Sequence, residues 1–207
     1  MYDVPLDDVI KRYPVLTACR TNIEAAVTIM IQSFQNGGKL LLCGNGGSAA
    51  DAEHWSGELL KGFCSRRVLT ENEKETLSPK LVDKLQGGLP AIPLNGFLSL
   101  SSAFANDVDP ELVYAQLVWS LGNDKDVLVG ISTSGNAKNI LSAFEVAKAK
   151  GLMTVALTGE CGGKLSQSGW CDICIKVPQT KTYLVQELHL PVYHAICLLL
   201  EQHFFNQ

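Results

Sequence analysis

The sequence predicts an α/β protein: a three-layer αβα sandwich around a five-stranded parallel sheet, with leading N-terminal helices and a long C-terminal helix. Three observations predict it. Five short apolar runs recur along the 207 residues, most of them separated by stretches with helical spacing. The runs are apolar throughout rather than alternating, as strands covered on both faces are. Two of them close on loops rich in glycine and hydroxyl groups.

Taken in order, residues Pro5 to Gln35 carry apolar positions at helical spacing (Ile23, Ala26, Val27, Met30, Ile31, Phe34), interrupted near Pro14 and stopped at Gly37-Gly38. That gives one or two leading helices. Lys39 to Cys43 reads as a strand closed by Gly44-Asn-Gly-Gly47, and Ser48 opens a helix with no breaker until Gly57 and Gly62. Further strands are expected at Leu89 to Leu94, Asp126 to Ile131, Met153 to Leu157 and Asp172 to Val177, with a helix from Asn136 to Lys150. Thr182 to Phe205 is a long, mostly apolar helix that Pro191 should interrupt. Lys61 to Leu89 differs in composition: it is rich in charge (Arg66, Arg67, Glu71, Glu73, Lys74) and much longer than the usual connection of about two to six residues. It reads as a partly helical excursion from the core. No repeat, low-complexity tract or linker marks a second domain, so residues 1–207 are expected to form one.

Composition narrows the function. With 17 Lys+Arg against 21 Asp+Glu, a net charge of −4, the chain is no generic nucleic-acid binder. Its longest unbroken apolar run, Ala195 to Leu200, is far short of the roughly 20 residues of a membrane span, and Met1 to Arg12 holds three aspartates and no apolar core of a signal peptide. No membrane partner is expected. Seven cysteines, an odd number scattered through strand and helix patterns, suit a reducing cytoplasm. A hydrophobic share of 46% with only 18% charged residues, against a norm of about a quarter, predicts a homo-oligomer.

In an open parallel sheet, ligands bind beyond the carboxyl ends of the strands, where helix N-termini offer N–H groups to anions. Cys43-Gly-Asn-Gly-Gly-Ser48 and Ile131-Ser-Thr-Ser-Gly-Asn136 are loops of this kind. Ser132, Thr133 and Ser134 bring three hydroxyls to a helix start with no lysine or arginine in the loop, a way to hold a phosphate monoester by donors and a dipole. Capping alone explains such residues too. The pattern Gly44-x-Gly46-x-x-Ala49 also matches a dinucleotide fingerprint, but the next strand comes about fifty residues on and brings no acidic residue for a ribose.

His54 and Glu58 lie four apart on the helix after the first loop, so they share a face and point back towards it. An imidazole and a carboxylate placed so can move protons or hold a metal; they can equally form an ordinary surface pair. In the last helix Gln186, Glu187, His189 and His194 are polar among apolar neighbours, and buried polar groups need partners. Cys171-x-x-Cys174 sits in a strand pattern without a second CxxC, which argues for buried structural cysteines.

With these residues laid out, the sequence resembles the sugar isomerase (SIS) domain family, and within it the phosphoheptose isomerases. The stretches that carry the resemblance are CGNGGSAADAEHWSGEL (43–59), FANDVD (104–109), GISTSGNAKN (130–139), LTGECGGKL (157–165) and QELHLPVYH (186–194). The resemblance implies an aldose-ketose isomerase of sedoheptulose 7-phosphate, with Glu58 as general base and His194 as acid. It implies zinc held by His54, Glu58, Gln186 and His194, although zinc on Glu58 would compete with its role as base. It implies a sugar phosphate site of Asn45, Gly46, Gly47, Ser48, Asn106, Asp107, Ser132, Thr133, Ser134 and Gln186, and a tetramer. Two departures stand out: Ala137 replaces a serine usual in the family, and the 61–89 excursion is longer than usual. The other expectation is a non-catalytic phosphosugar- or partner-binding SIS protein, as one that associates with the bacterial replication initiator and lacks the glutamate and final histidine.

Overall fold

The computed structural model describes residues 5–205. Two helices lead, α1 (Pro5–Arg12) and α2 (Arg20–Gln35), and between them Pro14 opens a 3-10 segment to Cys19. Then come β1 (Leu40–Gly44), α3 (Gly47–Leu60), the short α4 (Glu71–Glu75) and α5 (Pro79–Val82), and β2 (Ala91–Pro93). α6 (Leu98–Asp107), α7 (Val113–Leu121), β3 (Val127–Ile131), α8 (Lys138–Ala149), β4 (Met153–Thr158), β5 (Ile173–Lys176) and α9 (Thr182–Phe205) complete the chain.

The strands form one sheet in the order β2-β1-β3-β4-β5, every pair parallel, with Leu42 opposite both Pro93 and Val129. Side chains alternate across it. Leu40, Leu42, Val127, Val129 and Ile131 enter the core shared with α1, α2, α3 and α9, while Leu41, Cys43, Leu128 and Ala156 enter the core shared with α7 and α8. This is the expected three-layer sandwich. From β1 the chain crosses by α3 to β2 at one edge, and from β3 it crosses by α8 towards the other. The loops after β1 and β3 therefore diverge side by side, and that crevice is where an open α/β sheet binds its ligands.

Three expectations need correction. First, α9 runs through Pro191 without a break. A proline inside a helix costs about 3 kcal/mol, but burying each of Val185, Val192, Ile196 and Leu200 contributes roughly 1.5–3 kcal/mol, so packing wins. By length and hydropathy α9 would also suit a membrane span, and half of that window is buried inside the protein. Second, α8 begins at Lys138 rather than Asn136, because Ser134 and Asn136 bond to each other in the loop. Third, the excursion leaves the core only in its middle: Arg67 is fully buried, and Gly87 and Leu89 return their N–H groups to the carbonyls of Arg67 and Leu59. Its helical parts are α4, with a Thr70/Glu73 capping box, and the single turn of α5.

Candidate active site

The glycine loop after β1 turns directly into α3, with Ser48 and Ala49 donating N–H bonds to the carbonyls of Asn45 and Gly46. At Gly47 a Cβ would come within 1.8 Å of Gln186 Nε2, so the absence of a side chain there lets the α9 amide rest against the loop. The loop after β3 is held from behind: Ser132 is buried with its N–H on the Leu157 carbonyl, and Thr133 accepts from Gly159. Gly135, at φ +64°, takes a left-handed turn against Gly162, where a side chain would collide. Ser134 Oγ accepts from the Asn136 N–H at 3.2 Å, which leaves its own hydroxyl proton free to donate outward. The two loops are tied by a reciprocal amide pair, Asn45 and Asn139, with both bonds at 2.9 Å. Thus Asn45, Gly46, Gly47, Ser48, Ser132, Thr133, Ser134 and Gln186 all gather at the crevice. Asn106 and Asp107 stand at the exposed end of α6, where they bond to each other at 2.9 Å.

About one, two and three turns into α3, Asp51, His54 and Glu58 meet α9. His54 Nε2 is 3.2 Å from Glu58 Oε1, and its Nδ1 is 2.9 Å from the Tyr193 hydroxyl, which in turn donates to Asp51 Oδ1 at 3.4 Å. Tyr193 stacks on Trp55 with centroids 5.5 Å apart. The His194 ring stands edge-on to His54 at 5.2 Å, and Phe63 covers it at the same distance. Burial, then the neighbouring His54, pull the His194 pKa down, with Glu58 opposing, so it is a neutral imidazole at pH 7. Its buried Nε2 has no hydrogen-bond partner among the described residues. Lys61 Nζ lies 3.5 Å from the second Glu58 oxygen. An open groove of about 610 Å³ runs beside this cluster, lined by Asp51, His54, Gln186 and Tyr193 together with Tyr183 and Leu190.

Two of these residues escape sequence reasoning. Asp51 is raised in pKa by burial, against the bond it accepts from Tyr193 and the nearby Gln186 amide; its only sequence signal is its place one turn before His54. Tyr193 reads as one more apolar position of α9. Glu187 is exposed, and His189 is buried with neither ring nitrogen bonded. Cys171 and Cys174 are free and half-buried, short of the full burial expected.

Among the described residues, no three His, Cys, Asp or Glu side chains close around one point as a metal cage. The donors fit zinc in kind, being two imidazoles, a carboxylate and an amide. The orphaned Nε2 of His194 is a ring nitrogen with the character of a ligand.

The model of the SIS domain matches residues 9–78 and 89–159, and its break, 79–88, falls within the excursion. The phosphoheptose isomerase of Aneurinibacillus thermoaerophilus is 40% identical over 184 residues, 89% of this chain and 82% of the relative. That of Helicobacter pylori strain P12 is 40% identical over 192 residues, 93% and 89% of the two chains. A solved phosphoheptose isomerase from Francisella tularensis superposes with a TM-score of 0.78 at 32% identity, covering 95% of this chain and 94% of that one. On sequence and on structure, the chain belongs to the SIS domain family and, within it, to the phosphoheptose isomerases.

Proposed function

We propose that this chain converts sedoheptulose 7-phosphate to glycero-manno-heptose 7-phosphate through an enediol. The observation that carries the reading is the convergence of Glu58, His54 and His194 beside a crevice whose loops offer hydroxyls and helix-terminal N–H groups. Moving the carbonyl from C2 to C1 requires a base to take a proton from C1 and return it to C2. Glu58 is that base, largely shielded from water at the end of α3. His194, a neutral imidazole, donates a ring N–H to the oxygen that gains charge in the enediolate and acts as the acid of the reaction. The Tyr193 and Asp51 bonds hold the neighbouring His54 ring in place. Ser132, Thr133, Ser134 and the N-terminus of α8 hold the phosphate, while Asn45, Gly46, Gly47, Ser48 and Gln186 line the sugar. Asn106 and Asp107, exposed at the end of α6, join the site of a second subunit in a tetramer. Zinc, when bound by His54, Glu58, Gln186 and His194, supplies Lewis-acid polarisation of the carbonyl. Seven free thiols suit a reducing cytoplasm.

The test is incubation with sedoheptulose 7-phosphate and with hexose and pentose phosphates, following the aldose by NMR. The wild-type chain should convert the heptose. Glu58→Gln should lower kcat by orders of magnitude while phosphosugar binding survives, with zinc content measured in both proteins. Binding without any conversion by the wild type would favour the non-catalytic reading.

A further inference from the structure

We propose that Arg67 and Glu201 are positioning residues for the isomerase: their buried pair fixes the Glu58 turn of α3 and the Phe63 ring on His194 as one unit. The inference rests on the roles given above to Glu58 and His194. Neither side chain lines the groove, and apart from the bond between them their side chains bond only to the last turn of α3 and to residues 63–65 just beyond it.

Arg67 is fully buried, and its Nε donates to Glu201 Oε1 at 2.8 Å. Nη1 donates to the Leu59 carbonyl at 2.6 Å and Nη2 to the Glu58 carbonyl at 2.9 Å. These carbonyls belong to the last turn of α3, where no intrahelical N–H remains to pair with them. The guanidinium is therefore the C-terminal cap of the helix, with its charge at the negative end of the dipole. Its opposite face lies over the Phe205 ring at 4.8 Å.

Glu201 continues the clasp. Its Oε1 also accepts the Phe63 N–H at 2.8 Å, and Oε2 accepts those of Cys64 and Ser65 at 2.9 and 3.1 Å. Burial alone would raise this carboxyl, but the N–H bonds and the Arg67 charge hold it below its ordinary value. Glu201 stands two helical turns beyond His194 on α9, so the helix that carries the acid also grips the backbone that presents Phe63 to it. A buried ion pair is by itself poor evidence for stability, because apolar residues of similar volume often replace it without loss. Apolar residues could not cap α3 or hold three successive N–H groups, so the pair specifies where Glu58 and Phe63 stand.

The test compares kcat and KM of wild type, Arg67→Gln, Arg67→Lys, Glu201→Gln and Phe63→Leu with sedoheptulose 7-phosphate, below the melting temperature of each. Displacing a base by a fraction of an ångström acts on the chemical step, so kcat should fall about ten- to a hundredfold in the Gln variants while KM stays within about twofold. Arg67→Lys should recover part of the loss. A folded Gln variant with wild-type kcat overturns the proposal, and so does a loss confined to KM. Should the buried variants fail to fold, Phe63→Leu decides, since it leaves the pair intact: a severalfold fall in kcat at constant KM supports the proposal, and an unchanged kcat overturns it. An inactive wild type defeats the isomerase reading and this inference with it, a result distinct from equal activity in wild type and variants.

Discussion

Ser134 offers its hydroxyl proton to whatever sits in the crevice, because its oxygen is already engaged by Asn136. Removing that donor in Ser134→Ala should cost about 1.5–3 kcal/mol, a charge-assisted hydrogen bond, or roughly tenfold to over a hundredfold in affinity for a sugar phosphate. Calorimetry against the unphosphorylated sugar checks it: equal losses for both ligands would move the phosphate elsewhere. His189 makes a prediction about acid. Burial holds its pKa at about 4, with the nearby Thr158 backbone opposing. An unfolded chain protonates this ring near pH 6.5 and the folded one only near 4, so between those values the unfolded state binds more protons. Stability from this residue is complete above about pH 6.5 and falls by about 3 kcal/mol on the way to pH 4. Melting temperatures across that window should fall less steeply in His189→Leu; identical slopes would show that the loss comes from other groups.

At the scale of elements, Ala137 is the N-cap of α8 and supplies no side-chain bond to it. Ala137→Ser should therefore stabilise the protein by about 1 kcal/mol and raise the melting temperature by about 2–4 °C without substrate. If the new hydroxyl also reaches phosphate, affinity for phosphorylated sugars alone will tighten; a variant unchanged in both measurements would show that the helix start is already satisfied. The strands, the glycine loops and the His54/Glu58 pair were legible because each follows from a period or a spacing within one segment. The helix through Pro191 was not, since local propensity argued for a break and only distant packing overrides it. Arg67 was hidden for a related reason: within a charged run it looks solvated, and its partner Glu201 lies 134 residues away. The convergence of His194 on α3 was carried by family resemblance, because helix spacing places it on α9 but says nothing of what α9 meets.

For the whole molecule, several apolar side chains stay exposed on two surfaces: Leu98, Val108 and Trp119 on and around α6 and α7, and Tyr183 and Leu190 beside the active-site groove. Scattered exposed apolar residues are normal, but a rim of them around a polar site fits burial against other copies. Light scattering at micromolar concentration should give a tetramer, and Leu190→Asp should shift it to smaller species with loss of activity. A fully active monomer would refute the assembly.

The crossing of α9 over α3 also has a consequence for synthesis. Helix α9 spans residues 182–205, the last of the described chain, yet it supplies Gln186, Tyr193, His194 and Glu201 to elements formed from residues 40–67. A nascent chain can pair β1 with β3 and close α7 and α8 over one side of the sheet while the other side still lacks the helix that seals it. A domain still without α9 has both glycine- and hydroxyl-rich loops but neither His194 nor the Glu201 grip on the exit of α3, and a bare apolar layer. Catalytic competence and protection from aggregation therefore arrive together, when α9 docks on α3.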